Sequence, residues 1–183
     1  MSKPQAGWVL WLTGLPSSGK TTLARILCDR LRAGGVMVQL LDSDELRRVL
    51  TPSPTYSATE RDWFYSVVVY LAKLLAKNGV NVMIAATASR RAYRDAARQQ
   101  LQHFAEVHVN CPPAVCRERD PKGLWQKVED GLISNLPGAG EPYEAPPAPE
   151  ARVDTAQLGP SDAAEAVLRQ LTSSGFFKAD SGE

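Results

Sequence analysis

The nine residues GLPSSGKTT, 14 to 22, constrain this chain more than any others. They follow the apolar run WVLWLT at 8–13 and precede LARILCDRL, where Leu23, Ile26, Leu27 and Leu31 recur at helical spacing. A short apolar run suits a strand buried on both faces, and the 3–4 spacing suits an amphipathic helix. The segment between them must therefore turn a buried strand tightly into a helix. It fills the pattern G-x-x-x-x-G-K-[ST] with Gly14, Gly19, Lys20 and Thr21. Glycines at both ends let the chain curl until successive N–H groups face one anion, and the following helix adds the positive end of its dipole. A phosphate fits that nest, with Lys20 reaching the outer phosphates and the Thr21 hydroxyl on a bridging magnesium ion.

Beyond this junction, strands and helices alternate. Residues 36–41 (VMVQLL) read as a second strand ending in Asp42-Ser43-Asp44, with a helix from near Glu45. Ser57-x-x-Glu60 forms a capping box ahead of a long helix that stops at Asn78-Gly79. Residues 80–86 and 105–110 read as a third and a fourth strand, with Ser89 as the cap of the arginine- and alanine-rich helix between them. From about 120 to 149 Pro, Gly and Glu break the rhythm, which predicts a functional loop or lid. A short strand around Val153, a helix from Ser161 to Leu171 and a loosely held tail from Ser173 complete the reading. The alternation predicts the α/β class, with a mainly parallel sheet, helices on both faces, right-handed crossovers and ligands at the carboxyl ends of the strands. A chain of 183 residues fits one domain, here 1–175 with a flexible tail at 176–183.

Charge and cysteines narrow the function. Lysine and arginine number 21 against 20 acidic residues, so no global basic field exists to hold nucleic acid or an anionic membrane, and any anion must be bound locally. Cys28, Cys111 and Cys116 lack zinc-site pairing and read as buried thiols in a reducing compartment. The N-terminus lacks a signal-peptide layout, and no apolar run approaches the roughly 20 residues needed to cross a bilayer. The expectation is a cytoplasmic protein.

Two further clusters carry chemistry. In LLDSDELRR, residues 40–48, Asp42 and Asp44 arrive at the same sheet edge as the phosphate nest. One could order magnesium-bound water while the other accepts a hydroxyl proton, and Arg47 follows one turn later. An acidic helix start is the simpler account of the same residues. RERDPKGLWQK, residues 117–127, places basic groups around a Pro-Gly turn, suited either to clamping phosphates and stacking on adenine or to plain solvation.

Taken together, WLTGLPSSGKTTLA, LLDSDELR, CRERDPKGLWQK and EPYEAPPAPE resemble the adenylyl-sulfate (APS) kinases, in that order and across roughly residues 7–172. The resemblance implies a P-loop nucleoside-triphosphate hydrolase-like three-layer sandwich with a lid, and a possible homodimer. It implies that ATP and Mg2+ serve to phosphorylate the ribose 3′-hydroxyl of adenylyl sulfate, a step of sulfate assimilation. Position by position, it implies that Gly14, Leu15, Pro16, Ser17, Ser18, Gly19, Lys20, Thr21 and Thr22 bind the ATP phosphates and that Arg119 lies against the ATP adenine. It also implies Thr21 and Asp42 at the metal, Asp42 and Asp44 at the acceptor hydroxyl, Lys122 near the transferred phosphate, and Arg47 and Arg61 on the acceptor nucleotide.

The acceptor half departs from the family pattern. Phe64 stands at an asparagine, Ser66 and Val67 at an arginine pair, Ala86 at a phenylalanine, Ala88 at a serine sometimes described as phosphorylated, Ser134 at a lysine, and Leu136 at a phenylalanine that stacks on the acceptor. Phe64 is expected to restore a stack from another direction, while Trp63 and Trp125 are expected to pack their helices. Two alternatives stay open at this point: a kinase of another nucleotide-linked or small anionic hydroxyl compound, and an ATP-binding module without turnover.

Overall fold

A computed structural model describes residues 6–177. Its centre is a five-stranded parallel sheet ordered β2-β3-β1-β4-β7, built from β1 (Val9–Thr13), β2 (Val38–Asp42), β3 (Asn81–Ala85), β4 (Phe104–Asn110) and β7 (Ala151–Asp154). Alternation along β1 divides the core. Leu10 and Leu12 face a cluster with α1 (Lys20–Ala33) and α7 (Pro160–Ser173), while Val9 and Trp11 face α3 (Ala58–Lys77) and α4 (Arg91–Gln100). Helices on both faces bury the strands from two sides, which is why those strands read as continuous apolar runs.

The elements fall close to their expected places, and two helix starts differ from expectation in how they are capped. The second helix, α2 (Ser43–Leu50), begins ahead of Glu45 because the Asp42 carboxylate accepts from the Asp44 N–H at 2.8 Å. Ser57 caps α3 as expected, accepting from the Glu60 N–H at 3.2 Å. Ser89 does not cap α4: it is buried, and the lid's Glu144 carboxylate instead accepts from the Arg91 N–H at 2.6 Å. The tail is held further than expected, because Phe176 buries its ring against Trp8 and His103. Residues 178–183 of that tail lie outside the described residues.

The segment 120–149 shares a small core with the stretch just before it. Here α5 (Pro113–Arg119), α6 (Leu124–Glu129) and the paired β5 (Leu136–Pro137) and β6 (Gly140–Glu141) gather around Trp125, Cys111, Cys116 and Leu136. Trp125 thus packs its helix as expected. Trp63 does not, being 47% exposed on the outer side of α3. All three cysteines are buried and free. Among the described residues no helix is long and apolar enough to cross a membrane.

Candidate active site

Where β1 ends, the chain makes the turn that its glycines require. A Cβ on Gly14 would stand 2.3 Å from the Val109 carbonyl oxygen, and Gly19 has φ +93° directly before the first turn of α1. No side chain caps α1, so its leading N–H groups remain available to an anion. Ser17 also holds a positive φ of 65°, a strained conformation for a residue with a Cβ. Gly14, Leu15 and Ser18 form the floor of the loop: the Ser18 hydroxyl is buried without a partner, and the Leu15 carbonyl accepts from Lys20 Nζ at 2.7 Å. Pro16, Ser17, Gly19, Lys20, Thr21 and Thr22 face the open side.

Lys20 also donates to the Gly14 carbonyl at 3.0 Å, so its ammonium lies folded across the loop where an outer phosphate would bind. Burial holds its pKa down at about 8, against the opposing pull of the Asp44 carboxylate. Thr21 Oγ1 donates to Asp42 Oδ2 at 2.7 Å, and the other Asp42 oxygen caps α2. Asp42 is buried with both oxygens engaged. Asp44, by contrast, is half exposed and pairs across the cleft with Lys122 from the lid segment. The two carboxylates therefore have different surroundings, one buried and doubly bonded, the other half exposed in an ion pair.

One cleft of about 1020 Å³ is lined by Lys20, Thr21, Asp44 and Lys122, while the buried Asp42 does not line it. Beyond the phosphate loop, Arg119 is fixed by the carbonyl and hydroxyl of Thr155, which itself donates to the Ser18 carbonyl at 2.8 Å. Asp44 and Lys122 lie along the cleft, and Arg47, Arg61 and Leu136 also line it. Arg61 is buried, donating through Nε to the Tyr56 carbonyl at 2.9 Å and through Nη2 to the Asn135 carbonyl of the lid.

One expectation about the acceptor end is corrected here, and two departures from the family pattern are placed. Phe64 has no face open to a ligand: it is 0% exposed, does not line the cleft, and carries the Arg47 guanidinium 3.8 Å above its ring. Ser66 is exposed on α3 and does not line the cleft, and neither does Val67. Ala88 is buried with φ 42°, its N–H bonded to the Tyr65 hydroxyl at 2.9 Å and its carbonyl to the buried Arg94, which also reaches the Glu144 carbonyl. That position ties a loop to the lid and offers no nucleophile.

Sequence reasoning missed Tyr56, an exposed aromatic face at this end of the cleft. It lines the cleft at 40% exposure, with its ring 4.9 Å from the Arg47 guanidinium carbon. Its φ of 53° is held by bonds to its carbonyl from Arg61 and from Asn135 Nδ2 at 3.2 Å. The available signal was an aromatic residue directly before the Ser57 cap. Asn135 and Thr155 gave no signal, because each acts through contacts distant in sequence.

The geometry is that of a nucleotide kinase, and the comparison with known families decides which. The adenylylsulphate kinase family model matches residues 6–154. The chain belongs to the adenylyl-sulfate kinase family. A probable adenylyl-sulfate kinase of Pyrococcus abyssi is 39% identical over 171 residues, covering 93% of this chain and 98% of its own length. A probable bifunctional SAT/APS kinase of Sorangium cellulosum is 41% identical, but this chain spans 29% of that protein's length. The structure of the Mycobacterium tuberculosis APS kinase in complex with AMPPNP and APS superposes with a TM-score of 0.85 at 31% identity, covering 92% of this chain and 99% of that one.

The lowered Lys20 pKa gives a pH prediction. Between about 8 and 10.5 the unfolded chain binds more protons at this group than the folded one, so its contribution to stability rises with pH across that window, and its penalty is complete below about 8. A bound triphosphate favours the charged ammonium. ATP binding at pH 8.5 is therefore expected to take up a proton, visible in calorimetry as a binding enthalpy that varies with the buffer's ionisation enthalpy. At pH 6.5 Lys20 is already charged, so the uptake is expected to vanish and leave only proton release from the partly protonated γ-phosphate; equal proton uptake at both pH values would contradict the assignment.

Proposed function

We propose that this chain transfers the γ-phosphoryl group of ATP to the ribose 3′-hydroxyl of adenylyl sulfate by direct in-line displacement. One observation carries the reading: a single cleft runs from the phosphate loop past Asp44 and Lys122 to the arginine pair Arg47 and Arg61. The similarity to a kinase whose structure contains AMPPNP and APS supports both substrates.

In this reading residues 14–22 cradle the ATP phosphates through backbone N–H groups, Lys20 neutralises the outer phosphates, and Arg119 lies against the adenine. Asp44 accepts the 3′-hydroxyl proton, since its carboxylate is exposed to the cleft while that of Asp42 is not. Lys122 exchanges its partner Asp44 for the transferring phosphoryl group, which frees the carboxylate for the hydroxyl. Arg47 and Arg61 hold the anionic portion of the acceptor, and Tyr56 and Leu136 supply a face for its base.

The Thr21 hydroxyl and the Asp42 carboxylate, 2.7 Å apart, form a hard oxygen donor pair that fits Mg2+. Among the described residues no cluster of three or more acidic, His or Cys side chains is present, consistent with an ion that takes its remaining ligands from water and phosphate oxygens. When bound, that ion supplies charge neutralisation across the phosphates.

Phosphoryl transfer depends on positioning and charge more than on covalent help, so alanine at position 88 is compatible with direct transfer. The purified chain with ATP, Mg2+ and adenylyl sulfate is expected to yield ADP and 3′-phosphoadenylyl sulfate in equal amounts. ATP binding without that product would overturn the reading.

A further inference from the structure

Phe64 does not reach the cleft, yet it touches a group that does. The Arg47 guanidinium carbon lies 3.8 Å from the Phe64 ring centroid and 4.9 Å from that of Tyr56, and Arg47 Nη1 is 3.1 Å from the Glu60 carboxylate. The Arg47 side chain is consequently only 12% exposed although it lines the cleft. A long cation at a binding site ordinarily gives up rotamer freedom when its ligand arrives. Here most of that freedom is lost on folding.

We infer that Phe64 is a positioning residue: its ring face fixes the plane of the Arg47 guanidinium and so presets the acceptor subsite for an anion. The inference rests on the reading that Arg47 holds the acceptor. An ion pair to Glu60 alone anchors one end of the guanidinium and leaves its plane free to turn; a ring beneath it removes that rotation, because the planar delocalised cation lies flat on the negative face of the π system. Leucine or methionine would fill much of the same buried space without providing that face. Tyr56 contributes from the cleft side, where a ligand competes for it, whereas Phe64 is sealed below and holds Arg47 in the free and the bound protein alike. The effect belongs to acceptor binding. Lys20 and Arg119, which serve the nucleotide end, are held by other groups: Lys20 by the Gly14 and Leu15 carbonyls, Arg119 by Cys111 and Thr155.

Steady-state constants for wild type, Phe64→Leu, Arg47→Lys and the double variant test this. Phe64→Leu is expected to raise KM for adenylyl sulfate about five- to tenfold, with KM for ATP and kcat unchanged. In the Arg47→Lys background the same change is expected to have almost no further effect, since an ammonium does not lie flat on a ring. Equal effects in the two backgrounds, or parallel rises in both KM values, would overturn the inference. Phe64→Met carries the same comparison where the leucine variant does not fold. A readout independent of turnover is the Arg47 Nε–H resonance of the free protein. It is expected to be sharp, slow to exchange and ring-shifted in wild type and to lose those features in the Phe64 variants; an identical resonance in all of them would also defeat the inference. Absence of wild-type turnover defeats the acceptor assignment instead, and the resonance still decides whether Phe64 orders Arg47.

Discussion

Lys20→Ala is expected to lower kcat for product formation by roughly 10²- to 10³-fold, the usual cost of removing one preorganised group that stabilises transition-state charge. In the free protein the ammonium donates to the Gly14 and Leu15 carbonyls at 3.0 and 2.7 Å, so it already lies over the loop and needs little movement to meet an outer phosphate. The loop itself does not depend on that side chain. Its curl comes from Gly14, which admits no Cβ beside the Val109 carbonyl, and from the left-handed Gly19, while the unengaged N–H groups at the head of α1 still face an anion. ATP binding is therefore expected to weaken much less than kcat falls. Single-turnover product formation with saturating ATP, compared with nucleotide binding by calorimetry, separates the two effects. A variant with wild-type turnover would mean that the phosphates lie elsewhere in the cleft.

Loop and sheet were legible in the sequence for the same physical reason: both are dictated by local chemistry. A run such as WVLWLT has nowhere to go but a strand covered on both faces, and a G-x-x-x-x-G-K-T turn before an amphipathic helix has little other use. The acceptor end was harder, because its residues act through contacts that cross the chain. Phe64 at a position associated with substrate suggested a stacking face, whereas α3 turns it into the core beneath Arg47. Ser89 before an apparent helix start suggested a cap, whereas Glu144, 53 residues beyond the Arg91 N–H it accepts from, fills that role. Tyr56 went unrecognised because its orientation depends on a positive φ held by Arg61 and by the lid's Asn135. Each miss involves a side chain whose direction is set by a partner distant in sequence.

The paired acids give the second large effect. Asp44→Asn is expected to reduce kcat by about 10²- to 10⁴-fold through loss of the base that takes the hydroxyl proton, with little change in folding stability. An exposed ion pair such as Asp44 with Lys122 contributes about 0–1 kcal/mol at most. Asp42→Asn should behave differently. Its carboxylate is buried, accepts from Thr21 and caps α2; the amide oxygen keeps the cap but its NH2 cannot accept from Thr21, so the change is expected to cost about 0.5–1.5 kcal/mol of stability, on the scale of one hydrogen bond, together with tight use of the divalent ion. Thermal unfolding measured beside kcat at rising Mg2+ concentration distinguishes the pair. Added Mg2+ is expected to recover part of the rate in Asp42→Asn and none in Asp44→Asn, because a missing proton acceptor is not replaced by a cation. Recovery in Asp44→Asn and not in Asp42→Asn would exchange the two roles, making the buried carboxylate the base and the exposed one the partner of the metal.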